Sequence, residues 1–401
     1  MIDVLVVGIG EYVTGLSGEG VAKSDKSFGV IALSLFDMRD RGLVGEIHLA
    51  GRDAKRFTLI REHFETNLKA AYPALDTSFE AHPKEGFSDE AYREALEKMP
   101  EGSCVMLFTP DDTHFKIAKE ALEAGMHVLV AKPLVKTTAE HLALQKLAKE
   151  KGLLLMLEVH KRFDPIYADA VDQIRTFGDF SLMHSYMSQP KTQLDTFASW
   201  AGISSDISYY LNAHHIDLLC WAVQGFAKPV SVVATASTGV ADKKLGREVE
   251  DTITLTVQWK NLDSGALGTS VHTASWIAPP SDVHSQQRFF YMGHRGEVTI
   301  DQAHRGYGIS TDGQGYKSAN PLFMKYTPRD GKFAGQQGYG YRSIETFVLS
   351  ADALAQEPEK LAGFNKTLPT IENTLNVTKI LEAGRKSLDE GKVIVLGRST
   401  L

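Results

Sequence analysis

The stretch Asp3-Val4-Leu5-Val6-Val7-Gly8-Ile9-Gly10 decides the fold. An apolar run leading straight into Gly-x-Gly has the form of a buried strand that ends in a tight turn. The first glycine permits the turn, and the second lets a backbone-bound ligand come close. A lone Gly-x-Gly also fits a plain β-to-α turn, so its context matters. Short apolar runs at residues 46–50, 77–81, 104–108, 127–130 and 153–159 alternate with helical patterns, which predicts βαβ units and a six-stranded parallel sheet. Residues 112–124 carry Phe115, Ala118 and Leu122 at helical spacing and stop at Gly125. Thr137-Thr138-Ala139-Glu140 is a capping box for a helix that ends at Gly152. Sites in such doubly wound sheets lie beyond the carboxyl ends of the strands.

After about residue 160 the pattern changes. Residues 164–177 and 206–223 read as helices. Residues 249–260 then alternate, with Ile253, Leu255, Val257 and Trp259 on one face and Thr252, Thr254, Thr256 and Gln258 on the other. Residues 230–238, 267–273, 288–292 and 297–301 are its expected companion strands, 301–340 long loops, and 343–355 and 368–390 helices. The division predicted is an α/β nucleotide-binding domain over 1–159 and an α+β domain with an open antiparallel sheet over 160–401. A length of 401 residues with 43% hydrophobic and 23% charged residues fits two globular domains. The net charge of −7 gives no reason to expect nucleic acid or an anionic membrane as partner. No apolar run approaches the ~20 residues that span a bilayer, and no secretory n-region precedes the first strand, so a cytoplasmic location is expected. The two cysteines, Cys104 and Cys220, make neither a disulfide scaffold nor a metal-ligand spacing, and no metal is expected.

In the first turn, Gly8, Gly10 and Tyr12 are candidate cofactor contacts. Val13 stands where G-x-G-x-x-G has its third glycine, and Gly15 follows two places on. The next helix is expected to start near Ser27. The polar loop before it holds Lys23 and Lys26, which either close over phosphates or are solvated surface. At the end of the second strand an NAD site wants a carboxylate for the ribose, whereas a 2′-phosphate wants its absence and an arginine nearby. Here Gly51 and Arg52 stand, favouring NADP(H); an Arg52 that only stacks on adenine admits NAD(H) as well. Asp53 is read as a helix cap.

Thr109-Pro110-Asp111-Asp112-Thr113-His114 follows the fourth strand and Ala131-Lys132-Pro133 the fifth. Thr109, Pro110 and His114 are candidate cofactor contacts. Lys132 is a candidate both for that role and for catalysis, as an ammonium that protonates an oxygen while hydride moves at the adjacent carbon. Lys161 and Arg162, after the sixth strand, either hold an anionic group or make structural salt bridges. Tyr210, His214 and Asp217 fall along one helical stripe and form a candidate proton-handling set, in which at most one of His214 and His215 faces substrate. Arg342, beside Tyr341, is a further candidate for a substrate carboxylate.

These motifs resemble the Gfo/Idh/MocA oxidoreductases, whose hallmarks are G-x-G-x-x-G, T-P-x-x-x-H, E-K-P and D-x-x-x-H. Gly8/Gly10, Thr109-Pro110…His114, Lys132-Pro133 and His214 match in order, while Ala131 replaces the E-K-P glutamate and Tyr210 the aspartate. The resemblance implies a Rossmann domain followed by an open-sheet domain, often in dimers or tetramers, and a sugar-like substrate. The stretches His160–Pro165 and Ser205–His215 look most like NADPH-dependent D-galacturonate reductases. That likeness implies reduction of an acidic sugar aldehyde, with Lys161, Arg162, Asn212, His215, Tyr341 and Arg342 toward substrate. The alternatives within the resemblance are dehydrogenation of a neutral sugar or inositol, an NAD-using glycosidase, and a non-enzymatic dinucleotide sensor.

Overall fold

A computed structural model describes residues 1–18, 20–22, 26–313 and 315–397; Lys23 lies outside them. The chain divides into two compact units. The first comprises Met1–Leu134, Leu142–Asp164 and Pro321–Glu372, and the second comprises Val135–His141, Pro165–Asn320 and Asn373–Leu401. The sequence reading places one boundary after residue 159, whereas the segment 321–372 returns to the first unit.

The first unit is built on six strands: β1 (Ile2–Val7), β2 (Val44–Ala50), β3 (Glu80–His82), β4 (Cys104–Leu107), β5 (His127–Ala131) and β6 (Leu155–Glu158). Their order is β3-β2-β1-β4-β5-β6, parallel throughout. Val4, Leu5 and Val6 are wholly buried, as expected of a central strand covered on both faces. The returning segment adds a pairing on the β6 edge, where Leu157 N donates to Pro369 O and Ile371 N to Leu155 O. This is why it belongs to the first unit, and it caps an otherwise open edge.

Gly10 leads directly into a short helix, α1 (Glu11–Thr14), and the long helix α2 (Ile31–Asp40) starts later than expected. The reason is a tight fold-back. A Cβ on Gly15, at φ +80°, would lie 2.3 Å from the Ser27 carbonyl oxygen, and one on Gly29, at φ +70°, would lie 2.5 Å from that of Val13. The expected capping box is present: Thr137 N donates to Glu140 Oε2 at 3.1 Å, and Glu140 N to Thr137 Oγ1 at 3.2 Å. It opens α3 (Thr138–Lys151), which Gly152 ends in the left-handed region.

The second unit holds a seven-stranded sheet of β7 (Phe180–Pro190), β8 (Ala227–Ser237), β9 (Thr252–Asn261), β10 (Leu267–Ala278), β11 (Gln286–Gly293), β12 (Gly296–Asp301) and β13 (Ile394–Val395), in the order β12-β11-β7-β10-β9-β8-β13. It is mixed rather than purely antiparallel, because β7 pairs parallel with β10. The sequence reading misses β7, whose Phe180-Ser181-Leu182-Met183-His184-Ser185 lacks clean alternation. On β9, Ile253, Leu255, Val257 and Trp259 are buried, as the alternation requires. The helix α4 (Leu375–Glu390) packs closely on this face: a Cβ on Gly384 would come within 2.7 Å of Leu255 Cδ2.

Burial holds several histidines neutral. Desolvation pulls His82 and His127 down to about 4 and His272 to about 3. His127 Nδ1 accepts from Leu154 N, which needs a free lone pair, and His272 sits between Ser185 and Ser270. The unfolded chain takes up these protons near 6.5, so it binds more protons than the fold does between there and about 4. Stability therefore falls as pH drops through that window, by about 1.4 kcal/mol per histidine per unit. Urea midpoints should fall from about pH 7 to about pH 5, and less so in His272→Gln; a midpoint indifferent to pH in this range contradicts the assignment.

Candidate active site

The carboxyl ends of β1, β4, β5 and β6 converge in the first unit. Gly8 has φ +104°, and a Cβ there would lie 2.2 Å from the Phe108 carbonyl oxygen, so this turn admits only glycine. Gly10 differs: a Cβ there would meet nothing within 4 Å. Protein packing does not demand glycine at 10, whereas a close-lying pyrophosphate does, and the turn therefore fits a dinucleotide. Tyr12 lies beside it, its ring 5.5 Å from that of Phe108.

At the end of β2, a Cβ on Gly51 would fall 2.3 Å from Ile9 Cδ1. The side chain of the Gly-x-Gly turn thus fills the place where a ribose-binding carboxylate would begin. Arg52 is exposed, its guanidinium 5.8 Å over the Phe87 ring and 3.5 Å from Asp89. Asp53 Oδ1 accepts from Lys55 N at 3.0 Å, the expected cap.

Asp111–Thr113 forms a 3-10 turn that leads into the helix His114–Glu123. Thr113 Oγ1 donates to the Pro110 carbonyl and lies 2.7 Å from Thr109 Oγ1. His114 is fully buried, its ring nitrogens 2.9 Å from the Pro133 carbonyl and 3.0 Å from that of Thr109. This corrects its expected role: the ring ties the end of β4 to the end of β5, so it shapes the cradle rather than touching cofactor.

Lys132 follows β5, in a cis peptide with Pro133. The residue is half-buried and its ammonium is desolvated, which pulls it from its usual 10.5 down to about 8. Asp111 and Glu158 draw it back up, and Lys26 pushes it further down. A lysine poised near neutral pH exchanges protons readily in either direction.

Further expected site residues follow the carboxyl end of β6 or lie on the returning segment. Lys161, on a 3-10 turn after β6, is 2% exposed, and Arg162 beside it is 7% exposed. They are interior groups of the first unit, not a surface clamp. Tyr341 is corrected outright: its ring is in the first core, and its hydroxyl donates to Asp37 and accepts from Arg41. Arg342 is exposed.

In the second unit, Tyr210 lies in a π-helical turn, Ser208–Asn212, ahead of the helix Ala213–Ala222. The wider turn breaks the 3.6-residue stripe drawn through Tyr210 and His214. Asp206 caps this turn, its Oδ1 accepting from Ser208 N and Tyr209 N. The Tyr210 ring packs against Phe197 and Trp200, and its hydroxyl accepts from Gln189 at 3.3 Å. Asn212 and His215 are corrected. The Asn212 amide donates to Ser208 Oγ and the Ile253 carbonyl, and His215 sits between the rings of Tyr167 and Phe289. His214 is buried too.

The sequence reading gives neither Asp111 nor Glu158 a role. The available signal was a carboxylate closing an otherwise apolar run, Leu154-Leu155-Met156-Leu157-Glu158.

Comparison with known proteins agrees with this geometry. Residues 42–159 match the oxidoreductase family with NAD-binding Rossmann fold, and residues 170–299 match the GFO/IDH/MocA C-terminal domain. The chain belongs to the Gfo/Idh/MocA oxidoreductase family. It is 24% identical over 342 residues to scyllo-inositol 2-dehydrogenase (NADP(+)) IolW of Bacillus subtilis, covering 80% of this chain and 87% of that protein. It is 25% identical to UDP-N-acetylglucosamine 3-dehydrogenase of Acidithiobacillus ferrooxidans, covering 67% and 77%. The oxidoreductase YdgJ of Escherichia coli is 30% identical over 46% of the chain, which spans half of that protein's length. Among solved structures, an inositol dehydrogenase homolog from Azotobacter vinelandii complexed with NADH and myo-inositol has a TM-score of 0.67 at 18% identity, covering 98% and 97%. The chain is thus an oxidoreductase of this family, with its NAD-binding Rossmann fold. Among the described residues, no helix is long and apolar enough to cross a membrane.

Lys132→Met keeps the volume and removes the proton. Turnover should fall by about 10²-fold or more while the dinucleotide Kd, read by fluorescence titration, stays within about threefold. Retained turnover contradicts the role of Lys132.

Proposed function

We propose that this enzyme is an NADP(H)-dependent reductase of an acidic sugar, converting the open-chain aldehyde of a uronate to the aldonate alcohol. The observation that carries the chemistry is the desolvated Lys132 ammonium after β5, pulled down to about 8 at the carboxyl edge of the sheet. The bound nicotinamide dinucleotide would supply the hydride. Lys132 gives its proton to the carbonyl oxygen as negative charge develops there, so the carbonyl becomes an alcohol and the lysine is left neutral.

Preference for the 2′-phosphate is supported by Gly51, where Ile9 takes the carboxylate's place, and by the exposed fork of Arg52. The uronate is supported by the likeness of the His160–Pro165 and Ser205–His215 stretches to D-galacturonate reductases. Exposed Arg342 is the remaining candidate for the substrate carboxylate.

A second reading is oxidation of a neutral sugar or inositol. Interior placement of Lys161 and Arg162 favours it, because it removes two cations from the acid-binding set. The relative named an NADP(+)-dependent scyllo-inositol dehydrogenase points the same way.

A spectrophotometric screen of uronates, neutral aldoses and polyols with both dinucleotides separates the two. Turnover restricted to uronates supports the first reading, and turnover confined to neutral substrates overturns it. Arg52→Ala should raise KM for NADPH about tenfold or more and leave NADH nearly unchanged, from the loss of a charged hydrogen bond. Equal effects on both contradict the phosphate role. Reduction needs the ammonium and should fall as pH rises through about 8, while oxidation needs the free amine and should rise through the same value. Limbs of the same sign in both directions contradict the assignment.

A further inference from the structure

The parallel pairing of β5 and β6 places Ala131 opposite Glu158. Glu158 ends an apolar strand and is 4% exposed. A carboxylate this deep is costly unless hydrogen-bonded and faced by positive charge. Ser343 Oγ donates to its Oε1 at 3.0 Å, and His160 Nδ1 lies 3.5 Å from the same oxygen. The His160 ring is itself stacked on Tyr339 and set edge-on to Phe323. A hydroxyl donates a hydrogen bond but carries no charge. The ammonium of Lys132, next in chain to Ala131, carries a full one and is attracted to Glu158.

We propose that Glu158, together with Asp111, is a counter-ion of Lys132 and a positioning residue on the neighbouring strand. Ser343 holds the Glu158 carboxylate, and the carboxylate in turn fixes the direction and proton affinity of the ammonium. Among the described residues, the charged groups that act on Lys132 are Asp111 from the turn after β4, Glu158 from β6 and Lys26 from the loop after α1. His160 reaches this set through Glu158. The inference rests on Lys132 as the proton-handling group, but its test does not require turnover.

Competitive labelling of Lys132 with acetic anhydride across pH, read by peptide mass spectrometry on the full chain, gives the midpoint of its titration directly. Glu158→Gln should lower that midpoint by about one unit, a tenfold loss of proton affinity. Adding Ala131→Glu to the same chain should restore most of it. Ser343→Ala keeps the carboxylate but removes its donor, and should move the midpoint the same way by less; it decides the matter if Glu158→Gln does not fold. An unmoved midpoint in the folded variants overturns the proposal. A shifted midpoint in a protein that reduces no sugar leaves the counter-ion in place and overturns the functional reading instead.

Discussion

The structure turns on one constraint: a lysine ammonium taken out of water at the carboxyl edge of a parallel sheet. Desolvation favours the neutral amine, while Asp111 and Glu158 favour the charged form, and the balance falls near pH 8. Neither force alone serves acid–base work. A fully solvated lysine stays protonated through neutral pH, and an uncompensated buried one is neutral and cannot donate. The fold supplies both terms because strand ends bring backbone, carboxylate and lysine from separate stretches of chain to one rim.

The rim is in turn held by contacts that do no chemistry. His114 ties the Thr109 and Pro133 carbonyls, Gly8 lets the Phe108 carbonyl lie against the first turn, and the returning segment brings Ser343 to Glu158. Preorganisation of this kind fixes where the ammonium and its carboxylates stand.

Much of this is legible in the chain because its signals are local. Val4 to Gly10 read as buried strand and tight turn, Thr137–Glu140 as a capping box, and β9 as a half-buried strand, each from a few adjacent residues. What is not legible depends on distant partners. Strand β7 carries Ser181, Leu182, Met183, His184 and Ser185 without an apolar/polar alternation in its residue types, so no period marks it. Tyr341 and His215 have the polar character of site residues, yet Asp37 and Tyr167, far off in sequence, draw them into the cores. The π turn at Ser208–Asn212 shifts a stripe that ideal helical spacing draws through Tyr210 and His214. Glu158 gains meaning only from its register opposite Ala131, which no single-strand pattern contains.

The most direct measurement of the central claim is a crystal structure of the enzyme with oxidised dinucleotide and the alcohol product bound together. The account predicts Lys132 Nζ within about 2.6–3.2 Å of the oxygen on the carbon that faces nicotinamide C4. A complex in which another side chain occupies that position, with Nζ beyond hydrogen-bonding reach of the reacting oxygen, would contradict it.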